Sequence, residues 1–228
     1  MATYRTLCNR CERYARIGQA YRRWYAVSRA VLRRLGDYRM NGPDFAPSRR
    51  IANRHFTVEA YQNLCDVVAL TSPRCSVKRN LRLAWGEFTG EDRPRDMIRS
   101  TRVALDHYYK TGIIRGPKTS RFAQVLRGDD SVVVVDTWMA RALGVPDNHA
   151  RKKSTQELAE RVVRSIQGRF VKGFFSDPNR WTMAETQAAI WAGMIRTHYD
   201  KGKVPLMRTD YVGLYRTGEY RRLTTVPF

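Results

Sequence analysis

The chain has 228 residues, of which 42 are lysine or arginine against 21 acids, giving a formal net charge of +21. Hydrophobic residues make up 43%, which excludes disorder over the whole length, and that length suits one large domain or two small ones. No apolar run approaches the roughly 18 residues of a membrane span, and Met-Ala-Thr-Tyr-Arg at the start lacks the apolar core of a secretory signal.

Residues 1–55 form the most basic stretch, with 13 arginines against Glu12, Asp37 and Asp44. Within it, Tyr14, Ile17, Tyr21, Trp24, Val27, Val31 and Leu35 recur at steps of three and four. That spacing predicts one amphipathic helix from Cys11 to Leu35, stopped by Gly36. Its aromatic residues suit core packing, with base stacking as the sharper alternative. Met40 to Arg50, with Gly42-Pro43 and Pro47, reads as a loop.

Thr57 is placed to cap a helix that runs to Leu70 and is broken by Ser72-Pro73. Further helices are predicted over 77–85, ended by Gly86, over 94–110, ended by Gly112, and over 120–126. Val132 to Val135 would suit a buried strand, but no convincing partner strand exists, so an extended connector packed between helices is expected. Helices over 137–143, 156–167 and 183–196 follow, and the tyrosine-rich tail from Gly202 reads as an irregular basic arm. The expected architecture is mostly α: a basic helical extension (1–55), a helical core (56–200) and the arm (201–228).

The positive charge must meet anions, and it is carried mainly by arginine, whose planar fork matches phosphates and base edges. Nucleic acid is therefore the expected partner, each neutralised phosphate releasing a counterion. Cys8 and Cys11 have the spacing of half a zinc site, but Cys65 and Cys75 do not supply a second half, so no metal and no cofactor is expected. His55, His107, His149 and His198 show no triad or ligand spacing and receive no role.

The segment that points to chemistry is Gly116-Pro117-Lys118-Thr119, followed 18 residues after the lysine by Val135-Asp136-Thr137. A glycine turn opening a helix leaves backbone N–H groups free to hold a phosphate. An amine in that first turn and a carboxylate at the start of a later helix suffice for N-glycosidic chemistry. The carboxylate stabilises a developing sugar cation or deprotonates the lysine, and the amine attacks the sugar C1′.

These residues resemble the helix-hairpin-helix DNA glycosylases, the superfamily of endonuclease III and 8-oxoguanine glycosylase. Gly116, Lys118, Thr119, Val135, Asp136 and Thr137 match its hairpin and catalytic aspartate in type and spacing. The stretch Val68 to Asn80 is similar to its lesion-facing loop. A group of phage and plasmid proteins related to that superfamily is closer still, sharing Gly-Pro-Lys-Thr, Val-Asp-Thr-Trp and Gln187-Ala188-Ala189-Ile190-Trp191. The hairpin departs from the glycosylase pattern: Ile114 replaces a glycine, Gly112-Ile113 replaces Leu-Pro, and Trp138 stands where many members carry histidine. The cysteines of an iron–sulfur module are absent.

The resemblance implies a helix-hairpin-helix bundle that grips double-stranded DNA, extrudes one nucleotide and cuts its glycosidic bond. It places Lys118 as nucleophile and Asp136 as its acid–base partner. Arg74, Lys78, Arg79, Arg115, Gly116, Thr119, Arg121 and Trp138 are the expected DNA contacts. A monomer in a bacterial or phage-host cytoplasm is the matching setting. Bland readings stand beside these: Lys118 as a phosphate contact, Asp136 as a plain helix cap, Gln187 and Trp191 as a core face. Two other functions remain open, a transferase acting on modified phage bases and a DNA-binding protein that has lost its chemistry.

Overall fold

A computed structural model describes residues 3–41, 56–90, 93–171 and 181–198. Among these residues the secondary structure is helical, and no strand occurs. The chain divides into two compact units. Of the described residues, the first joins 3–25 with 128–198, and the second holds those between 26 and 127. The stretch expected as a separate extension therefore contributes to both units. The expected arm beyond residue 200 lies outside the described residues, as does most of the loop expected over 40–50.

The first unit is built on α9 (Met183–His198), which is buried almost without interruption from Met183 to Ile195. A helix buried on nearly every side needs apolar or small residues all round, and Ala184, Ala188, Ala189, Ala192 and Gly193 supply the small ones. Against it lie α1 (Tyr4–Ile17), α7 (Thr137–Ala142) and α8 (Lys153–Val171). The close approach of α1 is made by two glycines. A Cβ on Gly193 would fall 1.8 Å from the Tyr14 carbonyl oxygen, and one on Gly18 would fall 2.0 Å from that of Ala189.

Gly18 also explains why the long helix expected from Cys11 to Leu35 is broken. It closes α1, its N–H bonding back to the Tyr14 carbonyl, and a short 3-10 turn at Gln19–Tyr21 leads into α2 (Trp24–Asn41). Helical periodicity alone carries no sign of this break, because the apolar spacing continues across it. Gly36 does not stop α2; it lies where the Phe56 ring crosses the helix, 2.2 Å from where a Cβ would stand.

In the second unit the central helix is α3 (Val58–Thr71), capped by the Thr57 hydroxyl as expected and buried continuously from Leu64 to Thr71. Around it pack α4 (Val77–Thr89), α5 (Arg99–Thr111) and α6 (Pro117–Arg127). Gly86 does not end α4, which continues one turn further to Gly90, a left-handed residue at φ 79°. Gly112 ends α5 as expected, at φ 71°. The expected start of α5 at Pro94 is instead a turn, in which the Arg102 guanidinium caps the Pro94 and Arg95 carbonyls.

Candidate functional site

The residues that the sequence singled out fall in both units: Lys118 and the arginines around it in the second, Asp136 and Trp138 in the first. In the second unit, Gly116 takes φ 92°, a conformation that side chains disfavour, and turns the chain into α6. Lys118 occupies the first turn, half-buried, and makes no hydrogen bond or ion pair with the described residues. Arg115 and Gly116 are exposed; Thr119 and Arg121 are half-buried.

The far end of α6 is held firmly. The Tyr61 hydroxyl donates to the Leu126 carbonyl at 2.8 Å, the Cys65 thiol donates to the same oxygen, and Arg29 reaches the Val125 carbonyl at 3.0 Å. These contacts satisfy carbonyls that a helix end leaves without partners. Beside them Asp66, only 2% exposed, accepts from the Arg127 guanidinium and, at 2.8 Å, from the Tyr108 hydroxyl. Burial, and then the Asp66 carboxylate, push the Tyr108 hydroxyl far above its ordinary range.

The loop from Ser72 to Ser76 is shaped by Arg74, exposed and left-handed at φ 57°, and by Ser76, which caps α4. Behind it, Asn80 is buried. Its amide donates to the Val68 carbonyl at 3.1 Å, and its Oδ1 accepts from the Thr71 hydroxyl at 2.6 Å. That asparagine closes the α3–α4 hairpin, which gives its place after the Ser72–Ser76 loop a structural reason. Arg79 is committed in part, paired with Asp96 at 2.5 Å, whereas Lys78 forms no ion pair with the described residues.

In the first unit, the connector Val132–Val135 is buried and belongs to no helix or strand. It forms no ladder: the Val133 carbonyl accepts from the Gln156 side chain of α8 at 2.9 Å, and just upstream the Asp130 carbonyl accepts from Ala184 N–H at the start of α9. This clamped segment delivers Asp136 to the N-terminus of α7. There Oδ1 accepts from Met139 N–H at 2.9 Å, and Oδ2 accepts from the Trp191 indole N–H at 3.0 Å. Asp136 is thus a helix cap, and it is also held by a second, long-range bond, while remaining half-buried rather than sealed.

Aromatic residues surround this carboxylate. Trp191 lies 5.5 Å from Trp24, which in turn meets Tyr25 edge-on at 5.0 Å. The buried Tyr25 hydroxyl donates to Gln187 Oε1 at 2.7 Å. Burial, reinforced by the Asp136 charge, holds Tyr25 protonated well above the ordinary tyrosine range. The Trp138 ring lies under the Arg141 guanidinium at 4.8 Å and meets the His198 ring edge-on at 5.5 Å. The sequence reading treated Gln187 and Trp191 as a core face and Trp24 as core packing. Their i, i+4 spacing did place Gln187 and Trp191 on one face of α9, and that face meets Asp136.

The cysteines are free. Cys8, Cys11 and Cys65 are buried, and burial pushes the Cys11 and Cys65 thiols up to about 12. No group of three metal-ligating side chains occurs among the described residues, and no described helix is long and apolar enough to cross a membrane.

Fold and site together define an all-helical protein, among its described residues, that presents a clamped, half-buried carboxylate in one unit and a basic helix start in the other. Residues 45–166 match the model of a family of unknown function, DUF7178, and the chain belongs to that family. The matched span contains Lys118, Asp136 and the Arg74 loop, and it ends before Gln187 and Trp191. No curated protein and no solved structure matches the chain.

Proposed function

We propose that the protein binds double-stranded DNA and cleaves an N-glycosidic bond of an extruded nucleotide, with a helix-hairpin-helix glycosylase-like scaffold, Asp136 as acid–base group and Lys118 as amine nucleophile. The observation that carries this reading is Asp136: a carboxylate fixed at a helix start by two hydrogen bonds, half-buried, and 18 residues after an amine that opens α6. A carboxylate held in one orientation needs no reorganisation as a sugar cation develops beside it. Lys118 supports the second role, since no described acid neutralises or occupies it. The charge of +21 supplies affinity without sequence information.

The test uses the full chain on plain and phage-modified duplex DNA, scoring free base, abasic sites and borohydride-trapped complex. Lys118→Gln is expected to abolish trapping. Asp136→Asn is expected to slow base release by at least about a hundredfold while DNA binding persists. Base release that survives intact in Asp136→Asn refutes the mechanism. One observation favours a second reading, a DNA-binding protein without chemistry: both Asp136 oxygens already have donors within the fold. That reading requires steeply salt-dependent binding and no free base or new nucleoside from any substrate.

A further inference from the structure

The indole of Trp191 touches Asp136 from a helix 55 residues away in sequence, and it is the only long-range hydrogen bond to that carboxylate among the described residues. The N-cap bond from Met139 fixes Oδ1 alone and leaves the carboxylate free to pivot about it. A second donor on Oδ2 removes that freedom, so the plane of the carboxylate is set by α9 and not by α7 alone. Trp191 is itself held: it leans on Trp24 at 5.5 Å, and on the same face of α9 one turn earlier Gln187 is tied to Tyr25 at 2.7 Å. An indole donates through one N–H and accepts nothing, so it grips a carboxylate without competing for a proton.

We infer that Trp191 is a positioning residue for Asp136, fixing the carboxylate in the orientation its chemistry requires, with Gln187 and Tyr25 bracing the helix face that carries it. The acid–base part rests on the function proposed above; the positioning part does not. The glycosidic reading assigns the reacting groups, Lys118 and Asp136, and nothing in it requires a tryptophan on α9. Trp191 takes no proton and touches no substrate. It acts on the angle of Asp136 and therefore on turnover rather than on affinity.

Two measurements on the full chain test the inference. In proton–nitrogen spectra, the Trp191 indole resonance, identified by its loss in Trp191→Phe or by sequential assignment, is expected to lie downfield in the folded protein. It should move upfield in Asp136→Ser, because serine keeps an oxygen for Met139 N–H but offers none to the indole. An unmoved resonance overturns the positioning of Asp136 by Trp191. In single-turnover base release, Trp191→Phe keeps the ring against Trp24 and removes only the donor. It is expected to lower the rate about tenfold, a misplacement effect, with DNA affinity unchanged within about twofold. A full rate in a folded Trp191→Phe overturns the inference even if the spectra show the bond. A wild-type chain that releases no base from any DNA refutes the glycosidic function instead, and the spectra alone then decide whether Trp191 positions Asp136. If Trp191→Phe does not fold, Asp136→Ser and the wild-type spectra decide.

Discussion

The buried carboxylate of Asp66 allows the sharpest test of how the second unit is held together. Its side chain is 3% exposed, whereas the Arg127 side chain that pairs with it is 40% exposed, so the two partners stand in different dielectric surroundings. Of its two oxygens, Oδ2 receives both Arg127 and Tyr108, and Oδ1 is buried without a hydrogen-bond partner. Removing the arginine by Arg127→Met keeps the aliphatic stem but strands a buried anion on a single tyrosine hydroxyl. Breaking a buried pair in this way costs about 3 kcal/mol. Removing the charge by Asp66→Asn leaves an arginine that water can reach and an amide that still accepts from Tyr108. Its cost is about 1 to 2 kcal/mol, the screened pair plus one imperfect hydrogen bond. Thermal unfolding followed by circular dichroism separates the two, since 3 kcal/mol corresponds to roughly 6–12 °C for a chain of this size.

Equal losses in the two variants would refute the assignment of Asp66 as a buried carboxylate held by Arg127. The outcome bears on function, because the same contacts anchor the end of α6 opposite Lys118.

Two further outcomes follow from the packing. Gly193→Ala places a methyl carbon against the Tyr14 backbone, which no rotamer change relieves, so it should destabilise the first unit by about 3 kcal/mol in thermal or urea unfolding. Thiol titration of the native protein near neutral pH should label Cys75 slowly and leave Cys8, Cys11 and Cys65 protected until denaturant is added, because those three are buried and Cys75 is half-buried with its thiol raised by burial. Rapid labelling of Cys8 or Cys11 in the native state would count against the packing of α1 on α9.

How much of this was legible in the sequence depended on whether the signal was local. The caps at Thr57 and Asp136 and the terminator at Gly112 are local, and each sits where the sequence predicts it. The four valines Val132–Val135 lack a partner strand in the sequence, and they are buried outside any helix or strand. Gly18, Gly36 and Gly86 were the difficult residues. A glycine that ends a helix and one that admits a neighbour look identical in sequence, and only the approach of α9 or of the Phe56 ring tells them apart. The division of residues 1–55 between two units was equally hidden, because basic composition marks a surface and says nothing about which core the opposite face enters.

The same distinction governs the candidate site. Lys118 and Asp136 were visible because their spacing along the chain is itself the signal. Trp191, Gln187, Trp24 and Tyr25 were not, because what unites them is the meeting of α9 with the α7 start, a contact between residues about 50 or more positions apart. Aromatic residues at helical spacing are more often core than site, and here they are nearly both: Trp24 and Tyr25 are buried, while Trp191 is half-buried with its polar edge on the carboxylate. A cap needs one hydrogen bond from the helix it opens. Asp136 has that bond and a second one from another helix, and stability of α7 gives no reason for the second. The long-range indole bond is therefore the feature of Asp136 that capping of α7 alone does not explain, and its effect on base release is what Trp191→Phe measures.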